Sequence, residues 1–433
     1  MRRITHQILH SEKDAAVIAM DALSDRELHD ASHLTEDQLS LRYKLTPTDA
    51  RQTVLRDRWL ATPDVKLSDY RFEARFDWIE IGVSTNKPVV PVHDVQPKLK
   101  KALDDPIRGG VHVTSKLNRN KLEETRDLLI LLHDPSRRRF EKIFNVLEQQ
   151  FGVMGSEGWV QHEVWSWELA VDIYPKRTRA RDDDDMIARR VQMSELIRKH
   201  VAPSPMLMTG MFLDPKDWMR SHDGVELMPQ FAGSLGQRAQ HLKDTHKLHL
   251  SAADPDNHRA AAIDNTVYIA AKYRVGKYRL QDKIRDKRKR GQRTPPLPVD
   301  ERRTRIEITV GSHQDTGLEE RYETGINTID DIASYSFDTL RRDLFNFELP
   351  TLAKDETGHP AEEELAVFSK TGSLGLKLMA QGRRVIERAK GIRDGTGRLL
   401  LPVRQKAHNL RFEDLNCKIR DALKAVATTF EEG

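Results

Sequence analysis

The sequence predicts an α+β domain around a largely antiparallel sheet, flanked by helical regions at both ends. Two observations carry that expectation. Residues 72–83, 110–115, 164–174 and 305–310 alternate apolar with polar side chains and are rich in strand formers. Stretches with helical character, at 120–132, 137–150 and 185–200, fall irregularly between them. That order suits strands and helices in separate layers better than a regular strand-helix-strand alternation.

Taken along the chain, residues 1–69 are polar and read as a helical N-terminal region. The segments 14–23 and 35–41 have helix-forming composition, and Thr35-Glu36-Asp37-Gln38 offers a capping-box start. The character changes at Tyr70, and residues 70–345 read as the catalytic domain. Within it, residues 265–280 hold two short strand-like runs hinged near Gly276. The acidic run Asp182 to Asp185 suits a solvated helix N-terminus, where negative charge complements the helix dipole. Residues 329–345 are helically periodic. Residues 346–362, with Pro350, Asp355, Gly358 and Pro360, read as a linker, and 363–433 as a helical C-terminal region suited to DNA binding.

Length and composition bound the function. The 433 residues allow two or three domains, and 38% hydrophobic with 32% charged residues describes a polar globular protein. A net charge of +4 is too small to steer the whole molecule, so local clusters must carry any electrostatic argument. Cys417 is the single cysteine, which excludes an internal disulfide and a four-cysteine zinc site. The basic N-terminus is followed by no apolar run of signal-peptide length. The longest apolar block, Leu128 to Leu132, is far short of a membrane span. The expectation is a cytoplasmic protein with no membrane partner.

Three segments suggest chemistry. In Trp167-Glu168-Leu169-Ala170-Val171-Asp172, strand geometry puts Glu168, Ala170 and Asp172 on one face. Two carboxylates on an otherwise apolar strand call for a cation or an arginine. In the run from Arg303 to Val310, the side chains of Arg303, Arg305, Glu307 and Thr309 share a face. If the two strands are close, Glu307 joins Glu168 and Asp172 in an oxygen-only site suited to Mg²⁺ or Mn²⁺. An ion-pair ladder from Arg305 to Glu168 or Asp172 is the equally open alternative. The third segment, 272–293, holds eleven Lys or Arg against two Asp. Lys272, Arg274, Lys277, Arg279, Lys283, Lys287, Arg288, Lys289 and Arg290 would meet a phosphate backbone, and Tyr273 and Tyr278 would stack on bases. Fifteen residues after Glu307 stands Tyr322, a candidate nucleophile beside Arg321, which would offset the charge of its attack.

These residues together resemble the replication initiation factor family of rolling-circle plasmid and phage initiators and related relaxases that lack a two-histidine metal motif. The matching pieces are Phe76-Asp77-Trp78-Ile79, the strand from Trp167 to Asp172, Thr266-Val267-Tyr268-Ile269-Ala270, Tyr278-Arg279-Leu280-Gln281-Asp282-Lys283, Arg305-Ile306-Glu307, and Tyr322 on the following helix. Gln281 stands where an aromatic is common, Ala270 where glycine is usual, and Glu168 where aspartate is usual. The resemblance covers roughly residues 70–345. It implies a palm-like sheet with helices on one face, and a catalytic Tyr322 assisted by Arg305 and Arg321.

The protein expected is a replication initiator that nicks one strand of origin DNA through a tyrosine-phosphodiester intermediate, with Mg²⁺ or Mn²⁺. Its partners would be origin DNA, at least partly single-stranded, then host helicase and polymerase, with a homodimer left open. The alternative is an origin- or operator-binding protein that does not cleave. Other enzyme classes fit less well. No His-hydrophobe-His run is present for a two-histidine relaxase, and His246-Lys247-Leu248-His249 lacks the glutamate of a zinc-protease helix. His408-Asn409-Leu410-Arg411 resembles a tyrosine-recombinase box, but no tyrosine follows it. No phosphate-loop motif occurs.

Overall fold

The computed structural model describes residues 7–10, 16–20, 31, 33–49, 55–87, 90–104, 110–116, 124–153, 158–202, 219–221, 266–269, 276–285, 295–311, 324–369, 372–377 and 409–433. Its centre is an eight-stranded, fully antiparallel sheet. The strands are β5 (Tyr70–Ser84), β7 (Val111–Ser115), β9 (Asp127–His133), β10 (Glu163–Pro175), β11 (Met219–Ser221), β12 (Thr266–Ile269), β13 (Gly276–Lys283) and β14 (Arg303–Val310). They lie in the order β11-β12-β13-β14-β10-β5-β9-β7. A second sheet joins β1 (Gln7–His10), β2 (Ala16–Met20), β3 (Leu41–Pro47), β4 (Arg58–Pro63) and β16 (Thr351–Ala353), in that order. Two small ribbons pair β6 (Val90–Pro91) with β8 (Glu124–Thr125), and β15 (Glu348–Leu349) with β17 (Leu410–Arg411). The fold is α+β.

The two long strands β5 and β10 form the spine of the large sheet, and their alternation divides it into an apolar and a polar face. Phe76 lies opposite Leu169, and Leu169 opposite Ile308. On this face Phe76 meets Trp167, Phe337 and Phe430 edge-on, with ring centroids 6.0, 5.3 and 6.2 Å apart. Helices supply the other half of that core. In chain order they are α1 (Glu36–Leu39), α2 (Val92–Leu103), α3 (Arg137–Val146), α4 (Asp183–His200), α5 (Ile329–Ser334), α6 (Glu413–Lys424) and α7 (Val426–Glu432). Leu415, Ile419 and Leu423 of α6 and Val426 and Phe430 of α7 are buried in the same apolar cluster as β5. The C-terminal helices are thus part of the central core.

Several expectations need correction. Residues 1–69 were expected to be helical, but the described part carries four strands. The alternation of buried Leu41, Tyr43 and Leu45 with exposed Arg42 and Lys44 is a strand pattern, and β3 pairs on both sides. Among the described residues the helical pieces there are the single turn α1, opened by the expected capping box between Thr35 and Gln38, and a 3-10 turn at Leu67–Asp69. The stretch 120–132, read as helical, yields β8 and β9. Its apolar run is continuous because β9 is flanked on both sides, by β5 and β7, and buries Leu128, Leu129, Ile130 and Leu132. The linker expected at 346–362 contains β15 and β16, and β16 extends the N-terminal sheet through β4. The helix expected over 329–345 stops at Ser334, and 3-10 geometry follows at Phe337–Arg342. The acidic run does open a helix, with Asp182 capping α4 and Asp183 to Asp185 in its first turn.

The last turn of α4 ties β3 of the second sheet to the ribbon strand β15. His200 is fully buried, its Nδ1 donating to the Glu348 carbonyl at 2.7 Å, while the Tyr43 hydroxyl donates to Nε2 at 3.0 Å. Beside it, Gly372 (φ +69°) leaves no room for a side chain, since a Cβ would come within 2.4 Å of the Lys199 carbonyl oxygen. Burial pushes the His200 imidazole down to about 4, so it stays neutral in the folded chain while the unfolded chain protonates near 6.5. The stability this contributes is complete above pH 6.5 and is lost as pH falls toward 4. The loss should reach roughly 3 kcal/mol. Urea unfolding of wild type and His200→Gln between those pH values should show the wild-type slope flattened in the variant, and parallel slopes would refute the assignment.

Candidate metal and DNA site

The polar face of the large sheet holds a network of acids and arginines. Its anchor is Asp172 on β10, directly opposite Arg305 on β14. Arg305 grips it with both sides of the guanidinium, Nε to Oδ1 at 2.5 Å and Nη2 to Oδ2 at 2.7 Å. Arg75 Nη2 adds a bond at 3.0 Å, and Arg303 Nε lies 3.1 Å away. Burial alone would raise the Asp172 pKa, but Arg305, Arg303 and Arg75 together hold it well below the usual carboxylate range. Asp172 was expected as a metal ligand. Its oxygens are instead engaged by three arginines, the ion-pair arrangement that the strand pattern left open.

Glu168 and Glu307 do come together, and the third acid is Asp77. Ligand oxygens of Asp77, Glu168 and Glu307 all lie within 4.8 Å of one another. Asp77 reaches this position through an irregularity in β5. Trp78 lies opposite Glu168 and Phe76 opposite Leu169, so Asp77 is the extra residue of a bulge. Its carbonyl accepts a bond from the Asp134 amide at 2.9 Å. Bulges redirect a side chain in this way, which simple alternation does not anticipate. The signal present in the sequence was Glu73, Arg75, Asp77, three charges spaced by two on a strand beside the core.

Each acid has a defined partner. Arg305 Nη1 bonds Asp77 at 3.0 Å and Glu307 at 3.3 Å. Arg279 on β13 donates to Glu307 and, at 3.3 Å, to Glu168, whose other oxygen accepts from the Thr309 hydroxyl at 2.5 Å. Burial would raise the Asp77 pKa, but Arg305, Lys283 and Arg279 lower it. Glu168 is pushed up to about 7, first by burial and then by the charge of Glu307. Two like charges crowded into a dry site are what a cation relieves, and an all-carboxylate donor set suits a hard divalent ion. Asp77, Glu168 and Glu307 are thus the residues here that could hold a divalent metal ion.

The remaining expected residues divide by position. Arg305 is buried and binds the acids, so it acts as their positioner. Lys277, Tyr278, Arg279 and Lys283 lie on β13, next to β14, and Lys283 stands opposite Arg303. Tyr322, Arg321, Lys272, Tyr273, Arg274, Lys287, Arg288, Lys289 and Arg290 lie outside the described residues. No helix among the described residues is long and apolar enough to cross a membrane.

No family model matches this chain, and a search of curated proteins also found no match.

The geometry makes two outcomes testable. Because the folded pKa of Glu168 is raised, the stability tied to its protonated form is present below about 4.5 and lost as pH rises through about 7. Glu168→Gln should stabilise the metal-free protein at pH 8 by roughly 1–3 kcal/mol in urea unfolding and leave it unchanged below pH 4.5. Equal stability of the two proteins at pH 8 would rule this out. Arg279 holds two of the three cluster acids, so Arg279→Ala should tighten Mn²⁺ binding by roughly tenfold. Calorimetry showing equal or weaker Mn²⁺ binding would count against competition between them.

Proposed function

We propose that this protein is a metal-dependent DNA nickase that opens one strand at a replication origin, with Tyr322 as the nucleophile. The single observation that carries the reading is the convergence of Asp77, Glu168 and Glu307, from β5, β10 and β14, beside the strand that opens the basic block. The sheet, with helices against its apolar face, serves as the palm.

On this reading each group has a task. Asp77, Glu168 and Glu307 hold Mg²⁺ or Mn²⁺, and Arg305 fixes two of those acids in place. The cation, when bound, withdraws charge from the oxygens of the scissile phosphate. The Tyr322 oxygen forms a bond to phosphorus as the bond to the leaving 3′ oxygen breaks, and Arg321 offsets the charge of the attack. The proton of Tyr322 passes to solvent, and the leaving oxygen becomes a 3′ hydroxyl. The phosphotyrosine conserves the bond energy for rejoining, while the free 3′ end is what a host polymerase extends once a helicase has opened the duplex. The residues from Lys272 to Arg290 grip the strand through phosphates and stacked bases.

One observation favours the second reading, an origin- or operator-binding protein that does not cleave. The four acids Asp77, Glu168, Asp172 and Glu307 are matched by the four guanidiniums of Arg75, Arg279, Arg303 and Arg305, a balance that a purely structural ladder would also have.

A nicking assay separates the two. Supercoiled DNA carrying the element's own origin should be relaxed by the wild type with Mg²⁺ or Mn²⁺, with a covalent protein-DNA adduct on denaturing gels. Tyr322→Phe should give no adduct. Asp77→Asn and Glu307→Gln should slow relaxation by roughly two to four orders of magnitude. Relaxation that survives chelation, or binding without any cleavage, would remove the nickase proposal. An adduct that persists in Tyr322→Phe would move the nucleophile elsewhere.

A further inference from the structure

A cavity of about 400 Å³ opens where β9 turns into α3, lined by Arg75, Arg138, Arg139 and Lys142, with Asp134 as the single acidic side chain among the lining residues. Residues of the last helix close its far wall. Arg75 is offset by Asp172, so the cavity's own positive charge comes from Arg138, Arg139 and Lys142, and a concave site concentrates such charge more than a flat surface does. The helix intensifies it. Arg137, Arg138 and Arg139 occupy the first turn of α3, which contains no acidic residue, so their charge adds to the positive end of the helix dipole. Arg137 is offset by Glu431 at 2.9 Å and by Glu141, whereas Arg138 and Lys142 project from the exposed surface. Such an arrangement is unfavourable for the isolated helix and favourable once an anion is present.

The cavity's place is as informative as its charge. Arg75, on its wall, is two residues from Asp77 on β5 and bonds Asp172 at 3.0 Å. Asp134, at its rim, donates its amide to the Asp77 carbonyl. The cavity adjoins the acid cluster at the edge of β5 that β9 leaves uncovered, with Phe76, Val426 and Phe430 of the helix-bearing face in its wall. A strand crossing the cluster from the basic block on β13 would reach it by passing over that uncovered edge, beside Arg75.

We infer that this cavity is a phosphate subsite for a DNA strand, holding the backbone that flanks the acid cluster through Arg75, Arg138, Arg139 and Lys142. The inference rests on the reading of that cluster as the place where DNA is processed. The ligand is a phosphodiester oxyanion, and the path from β13 across the acids assigns it to a nucleic-acid strand over free phosphate.

The test uses the full chain, oligo-dT and two exposed substitutions, Arg138→Glu with Lys142→Glu. Lys418→Glu with Lys424→Glu, both exposed on α6, serves as a control of equal charge change. By fluorescence anisotropy the double variant should bind oligo-dT at least tenfold more weakly than the control. Its log-log salt slope should be shallower by about 0.7 for each phosphate no longer neutralised. Thermal unfolding midpoints equal to wild type would confirm that both variants fold. Equal loss in the double variant and the control would overturn the subsite. So would inorganic phosphate competing as well as the strand at equal phosphate concentration, which would make the cavity a site for the free anion. Nicking that fails while this differential binding persists would sink the nickase reading and leave the subsite standing. Wild-type nicking with unchanged oligo-dT binding in the double variant would do the reverse.

Discussion

The pairing of Arg305 with Asp172 is the constraint on which the polar face of the sheet depends. Both side chains are almost fully buried, Asp172 at 0% and Arg305 at 2% exposure. Taking two charges out of water costs several kcal/mol per ion, and a bidentate contact with further bonds to the remaining polar atoms is what makes the burial tolerable. Arg305 meets that demand by directing its third nitrogen to Asp77 and Glu307. The register of β10 against β14 is thereby pinned, because a shift by one residue would turn Arg305 toward the aromatic core and leave Asp172 without its main partner. The same pairing sets the positions of two of the three cluster acids.

The opposite face obeys a different rule. There the alternate residues of the same strands meet helices through Phe76, Trp167, Phe337 and Phe430, and burial of apolar area holds the layers together. The two faces are coupled by the two-residue period of the strands. Any insertion that moved Glu168 out of the acid cluster would also drive Leu169 out of the core. Two departures from this rule are built in, at Trp165 on β10 and at Asp77 on β5, and the second lies where β5 passes from pairing with β10 alone to pairing with β9 as well. The irregularity that brings Asp77 to the acid cluster thus sits where β5 changes from one neighbour to two.

Much of the central sheet was legible in the sequence. The alternation on β5, β7, β10 and β14, and the two runs around Gly276, fall where strands form. The facing of Glu168 with Asp172, and of Arg305 with Glu307, follows from the period alone. What was illegible has physical reasons. A continuous apolar run such as Leu128 to Leu132 satisfies a buried strand and a buried helix alike, and only its neighbours β5 and β7 decide. Helix-forming composition around Ala16 to Met20 was overridden by pairing with β3. Whether Asp172 belonged to a cation or to arginines depended on cross-strand distances that the sequence does not contain. Asp77 was hidden by the bulge, since a register-breaking residue cannot be assigned a face by counting.

The balance of charge in the network bears on how it could work. With Glu168 ionised, four carboxylates and four guanidiniums cancel, and the acids are neutralised without any ion. Adding a divalent cation to Asp77, Glu168 and Glu307 then leaves an excess of positive charge in a poorly solvated site, which must be offset or moved. Arg279 is the member best placed to move, being about a third exposed and on the strand nearer the sheet edge, whereas Arg305 is locked by Asp172. Phosphate oxygens of a strand laid across β13 would take up that guanidinium and cancel the excess. Cation and DNA would therefore each strengthen the binding of the other, as linkage requires when both bias the same arginine. On the proposed reading such a site would be quiet without its substrate, because the arginine that neutralises the acids would leave only when phosphate gave it somewhere to go.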